Sequence, residues 1–215
     1  AFTRLPMALH ESRHSTLTAT FLGTTIAAGT PGAAALKTAL DTLFNHPNVG
    51  PFIGRRLLQR LVTSNPTPVY VQRVTAVFNN NGAGVRGDLK AVVRAILLDP
   101  EARRLGPQLS DFGKVREPLL RLTHGWRALN ARTATGRMSE YYPGSYLSQA
   151  PLSAPSVFNF FSPAYKPTGE LTTLGMSAPE LQLANDNVIP ATQNAFGDEI
   201  FFYYLGNPDV GPNDI

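Results

Sequence analysis

The sequence predicts an all-α fold: five or six packed helices, a short extended N-terminal segment and a long irregular C-terminal wrap. Three observations predict it. Apolar residues recur at three- and four-residue steps between positions 32 and 130. Proline and small polar residues punctuate those segments where helices start and stop. After Ala131 the periodicity fades into a stretch rich in Gly, Pro, Ser and aromatics. With 215 residues, 43% of them hydrophobic and 16% charged, the chain is expected to be one domain with residues 1–31 extended, 32–130 as helical core and 131–215 as a loop-rich wrap carrying one helix.

Each element has its own reason. Thr16, Thr18, Thr20, Thr24 and Thr25 lie close together, and the alternation around Thr16–Ile26 favours an extended segment or short strand over a helix. The first helix is expected after Pro31-Gly32, with Leu36, Leu40, Leu43 and Phe44 at three- and four-residue steps, and His46-Pro47-Asn48 ends it. The second opens near Pro51. On its wheel Ile53, Leu57, Leu58, Leu61 and Val62 share one half, and Arg55, Arg56, Gln59 and Arg60 the other. A third follows Pro68, with Tyr70, Val74, Val77 and Phe78 inward. Asp88 caps a fourth, expected to be nearly buried because only Lys90 and Arg94 interrupt its apolar surface. A fifth spans about 114–130, with Glu117, Arg121 and His124 on its outer face, and a sixth is expected over 178–196.

Composition narrows the function. The absence of cysteine excludes disulfides, thiolate metal sites and thiol nucleophiles. No apolar run reaches the ~18 residues of a membrane span. The start, Ala1-Phe2-Thr3, has no initiator Met, so the chain is expected to be a mature or truncated piece of a longer protein. Net charge is +4, from 19 basic and 15 acidic residues, unevenly distributed. Residues 55–137 hold fifteen Lys/Arg against five Asp/Glu, whereas from Met138 onward eight acidic residues face Lys166 alone. That polarity suits internal pairing between the two halves, with a polyanion or nucleic-acid partner as the less favoured use of Arg55, Arg56 and Arg60.

Two short patterns invite stronger readings. His10-Glu11-Ser12-Arg13-His14 has the spacing of a zinc protease helix, in which two His ligate metal and Glu activates water. The Thr-rich context is poor for a helix and no third ligand is evident, so no metal is expected; a hydrolase using His10, Glu11 and His14 stays as the alternative. Gly82-Ala83-Gly84-Val85-Arg86-Gly87 has dinucleotide-loop spacing, but the segment before it reads as helix rather than strand, so a plain helix connection is expected, with no cofactor. Neither a nucleophile elbow nor a phosphate-binding loop is present. In Ser156-Val157-Phe158-Asn159-Phe160-Phe161, the three Phe cannot share one face. Phe158 and Phe161 are expected in the core, and Phe160 with Tyr165 on a contact patch.

Taken together, several segments resemble one bacterial family, Domain of Unknown Function 1800. They are His46-Pro47-Asn48-Val49, Pro51-Phe52-Ile53-Gly54-Arg55, Leu61-Val62-Thr63-Ser64-Asn65-Pro66, Gly84-Val85-Arg86-Gly87-Asp88-Leu89, Ile96-Leu97-Leu98-Asp99-Pro100-Glu101-Ala102-Arg103, Arg116-Glu117-Pro118 and Ala154-Pro155-Ser156-Val157-Phe158-Asn159-Phe160-Phe161. The similarity runs over roughly residues 14–205. It implies a longer, exported protein, periplasmic or extracellular, whose genetic neighbours include a secreted family related to sulfatases and alkaline phosphatases. It implies no activity and no catalytic residue. The function expected from all this is a non-catalytic binding or assembly component with a protein partner.

Overall fold

Alternation over residues 16–26 becomes a two-stranded hairpin. β1 (Ala19–Phe21) pairs antiparallel with β2 (Thr24–Ile26), Thr20 opposite Thr25. The two-residue turn needs positive φ at both positions, and Leu22 and Gly23 supply it at 47° and 78°. The computed structural model describes residues 7–104, 111–132, 144 and 147–201, and is mostly helical there.

Helix α1 (Gly32–Asn45) lies beside the hairpin, where the Thr42 hydroxyl donates to Thr24 Oγ1 at 3.2 Å. Its apolar stripe is largely uncovered. Ala35 is the buried apolar side chain, whereas Leu36, Leu40, Leu43 and Phe44 are all substantially exposed. Periodicity marks an apolar stripe; whether anything packs on it depends on neighbours that the local sequence does not encode. Phe44 is partly engaged, 6.3 Å from the Phe78 ring.

The core sits between α2 (Val49–Leu61), α3 (Pro68–Asn79) and α4 (Leu89–Leu98). Leu58, Tyr70, Val74, Phe78, Val92 and Ile96 form it. Helices α2 and α3 approach closely because Gly50 and Gly54 face Thr75, Phe78 and Val74: a Cβ on either glycine would come within 3.1–3.2 Å of those side chains. Thr67 caps α3 by accepting from Tyr70 N at 3.2 Å, and Asp88 caps α4 by accepting from Ala91 N at 3.1 Å. Helix α4 is not nearly buried as expected. Val92 and Ile96 face the core formed with α2 and α3, while Leu89, Leu97 and Leu98 are about half exposed.

The ends of α3 and α4 are tied by charge. Arg73 grips Asp99 with two hydrogen bonds of 2.7 Å and lies 3.5 Å from Glu101, which accepts from the Thr67 hydroxyl at 2.7 Å. Burial alone would raise the Asp99 pKa, but the bonds from Arg73 and the Glu101 N–H outweigh it and hold the carboxyl below its ordinary value. Between α3 and α4, the Asn80 and Asn81 side chains accept backbone N–H groups from Gly82 to Val85. Gly82, Gly84 and Gly87 all have positive φ. A helix precedes this loop, as expected, and no strand does. Arg86 fastens the loop to α1 by donating to the carbonyls of Phe44 and His46.

Beyond the core, α5 (Pro118–Ala128) is shorter than the expected 114–130. Glu117, placed by the wheel on the outer face with Arg121 and His124, is buried, whereas Arg121 and His124 are exposed. The wrap contains a one-turn α6 (Glu170–Thr173), a 3-10 turn (Pro179–Leu183) and α7 (Val188–Phe201). The single helix expected over 178–196 is therefore broken. Asn185 accepts the N–H groups of Asn187 and Val188, which restarts the chain as α7.

Two outcomes follow for stability. Gly87→Ala should cost more than Gly84→Ala in denaturant titration. Both force a left-handed backbone on alanine, about 1–2 kcal/mol, but only at Gly87 would the new Cβ also meet the Phe44 ring, 2.7 Å away. Asp99, with its pKa depressed in the fold, adds stability that is present above the unfolded carboxylate pKa of about 3.9 and is lost as pH falls through the lower folded value. In acid titrations followed by circular dichroism, Asp99→Asn should flatten that loss below about pH 4.

Candidate functional site

The C-terminal end of α2 and the turn after it are unusually polar for a buried place, and most of these groups are engaged by hydrogen bonds. Gln59 is buried, and its amide donates to the carbonyls of Ser64 at 3.0 Å and Pro163 at 3.1 Å. Thr63 exchanges bonds with Gly113, its hydroxyl accepting the Gly113 N–H at 2.9 Å and donating to the Gly113 carbonyl at 3.1 Å. Asn65 pairs in the same two-way fashion with the Ser177 backbone, 2.9 Å each way. Lys114 donates to the Arg60 carbonyl at 3.0 Å and forms an ion pair of 2.9 Å with Glu180. The Gln149 amide donates to Glu117 at 2.7 Å. The wrap is thus held on α2 by hydrogen bonds to groups far away in sequence.

Where α2 and the wrap meet they enclose a half-open cleft of about 430 Å³. Its apolar walls are Phe52 from α2 and Val157, Phe158, Phe161, Pro163 and Pro179 from the wrap. Its polar lining is Arg56, Gln59 and Arg60 from α2, with Asn159 and Glu180. Arg60 lies over the Phe161 ring at 4.2 Å, donates to the Phe158 carbonyl at 2.9 Å and sits 3.5 Å from Glu117. Arg56 donates to Gln59 Oε1 at 2.7 Å and lies over Phe52 at 5.3 Å. Burial, then the charges of Arg55 and Arg60, hold its pKa below the ordinary guanidinium value. Three polar atoms of these lining residues are buried with no hydrogen-bond partner among the described residues: Arg56 Nε, Glu180 Oε2 and Arg60 Nη1, the last 3.5 Å from Glu117 Oε1.

The sequence-predicted residues divide accordingly. Arg56 and Arg60 line the cleft; Arg55 is exposed outside it. Phe160 and Tyr165 are partly buried and do not line it, Tyr165 serving through its carbonyl, which accepts the Ala178 N–H at 2.9 Å. The Phe assignment needs correction at one position. Phe161 is 4% exposed as expected, but Phe158 is 47% exposed and forms a wall of the cleft. Asn159 has φ 73°, which turns the chain between them. Gln59, Glu117 and Glu180 went unrecognised, because a wheel that puts Gln and Arg opposite the core assigns them to solvent. Pairing of the basic half with the acidic tail does occur in Lys114–Glu180, but Arg60 takes Glu117 instead.

The zinc-protease pattern lands elsewhere. Glu11–Arg13 is a single 3-10 turn, not an α-helix, so His10 and His14 are not carried on one helical face. Glu11 accepts from Gly32 N at 2.8 Å, placing a carboxylate at the start of α1 where the helix dipole favours it. Among the described residues no three His, Asp or Glu side chains gather as a metal site.

These features define a mostly helical protein whose irregular C-terminal segment closes a cleft over one helix. The sequence model of the family described as Protein of unknown function (DUF1800) matches residues 3–209, and the chain belongs to that family. Comparisons with curated proteins and with solved structures give no match.

The two phenylalanines of the cleft should behave differently. Phe161→Ala empties a buried site under Arg60 and should cost about 3–5 kcal/mol. Phe158→Ala, at a half-exposed wall whose backbone carbonyl still serves Arg60, should cost less than about 1 kcal/mol. Urea titration of both variants checks this, and equal losses would contradict the assigned positions.

Proposed function

We propose that this chain is a non-catalytic binding component of an exported bacterial protein, and that the cleft between α2 and the wrap receives a protein partner. The observation that carries the reading is the cleft itself: apolar walls from two separate parts of the chain, with a few convergent polar groups, as in sites that hold ligands. Its arginines are positioned by a buried network rather than left as a solvated face. Periplasmic or extracellular location, and a secreted sulfatase- or alkaline-phosphatase-like neighbour as partner, are part of this proposal through the family resemblance. The engagement of Glu11 at the start of α1 speaks against a hydrolase built on His10, Glu11 and His14. The engagement of Arg60, Arg73, Arg86 and Lys114 in hydrogen bonds and ion pairs within the chain speaks against a polyanion-binding face.

Amide NMR of the chain titrated with short acetylated peptides, together with assays on nitrophenyl esters and phosphates, tests the reading. Saturable shifts at Phe52, Arg60, Val157 and Phe161 are expected, with all probes recovered intact. Multiple-turnover hydrolysis lost on His14→Ala would replace it with the enzyme reading.

A further inference from the structure

Resting on the binding reading above, the chemistry of the cleft narrows its occupant. Three features must be met together. The walls are aromatic and aliphatic, led by Phe52, Phe158 and Phe161. Among the described residues no carboxylate forms an ion pair with Arg56, whereas Arg60 has Glu117 and Lys114 has Glu180. Glu180 is 2% exposed, and Lys114 holds only its Oε1, leaving Oε2 buried and without a hydrogen-bond partner among the described residues.

A buried acceptor without a donor is costly, and so is a buried guanidinium N–H without an acceptor. Both kinds occur on residues lining this one cleft: Glu180 Oε2 as acceptor and Arg56 Nε as donor, while Arg60 Nη1 has no hydrogen bond but lies 3.5 Å from Glu117 Oε1. A simple anion would answer the arginines but meet the Glu180 carboxylate unfavourably. A simple cation would answer Glu180 and meet two arginines. An apolar molecule would satisfy neither. The occupant therefore carries an anion, an adjacent hydrogen-bond donor and an apolar group.

We propose that the cleft binds the free C-terminus of a partner polypeptide ending in an apolar or aromatic residue. The terminal carboxylate accepts from Arg56, with Arg60 Nη1 beside it. The last backbone amide N–H donates to Glu180 Oε2, and the terminal side chain lies among Phe52, Phe158 and Phe161. A guanidinium suits this role because its planar fork matches a carboxylate. Burial, and the neighbouring charges of Arg55 and Arg60, depress the Arg56 pKa, and an incoming carboxylate would offset those charges.

Calorimetric titration of the intact chain with acetyl-Gly-Ser-Gly-Phe as the free acid tests this, against the same peptide as its C-terminal amide and as a depsipeptide with an ester oxygen in place of the last N–H. The free acid should bind, and each altered peptide should bind roughly tenfold more weakly. In Arg56→Gln the acid and amide should bind alike, and their ratio is read within one variant, so a general loss of affinity does not mimic the result. 3-Phenylpropionate, which has the acid and ring but no amide, should bind like the depsipeptide or more weakly. Equal binding of acid and amide to the unaltered chain would overturn the C-terminus while leaving a peptide-binding cleft. No binding of any of these probes would overturn it as well, and cleft shifts with other peptides would then decide the binding reading separately.

Discussion

Gln59 occupies the last full turn of α2, buried, with a side-chain amide that must find partners away from water. It finds two carbonyls, one five residues on at Ser64 and one 104 residues on at Pro163. Thr63 and Asn65 repeat the arrangement at Gly113 and Ser177. The irregular wrap cannot satisfy its own backbone as a helix does, so the α2 terminus supplies what helical bonding would have supplied. The position of Phe161 against Arg60, of Glu180 against Lys114, and the cleft between them all depend on that fastening.

The uneven charge of the chain acquires a structural meaning here. Basic residues of the helical half point into contacts with later segments: Arg60 to Phe158 and Glu117, Lys114 to Glu180. Other basic residues lock the helices to one another, Arg73 through Asp99 and Arg86 through the end of α1. Such partly buried, hydrogen-bonded pairs fix geometry more than they add stability. Within the cleft, the guanidinium of Arg56 lies over Phe52 and, among the described residues, forms no ion pair with a carboxylate. The cleft lies where the internal pairing is incomplete.

The family resemblance and the geometry meet in the same residues. Leu61-Val62-Thr63-Ser64-Asn65-Pro66 reads in the sequence as a helix stop, and in the fold it is the anchor for the wrap. Gly84-Val85-Arg86-Gly87-Asp88-Leu89 reads as a glycine-rich connection, and in the fold its Arg86 and Gly87 hold α1 against the core. In both, polar and glycine residues that look like punctuation carry long-range contacts.

Local chemistry was enough to determine the helices of the core. Pro68 in a first turn, Asp88 as a cap, and Tyr70, Val74, Phe78, Val92 and Ile96 at helical steps act within a few residues of one another, so their spacing is visible in the chain. The extended start, the glycine connection and the burial of Phe161 were legible for the same reason. Whether a marked stripe is covered was not: Leu36, Leu40 and Leu43 have the same periodicity as the core residues and lie exposed, while Gln59 and Glu117 have the look of surface residues and lie buried. Nor was the cleft, which brings Phe52, Arg56 and Arg60 to residues about a hundred positions later. Periodicity reports which side of an element is apolar. Only the tertiary structure decides which segment arrives to bury the other side, because that choice is made by hydrogen bonds and ion pairs between residues whose separation in sequence leaves no local trace.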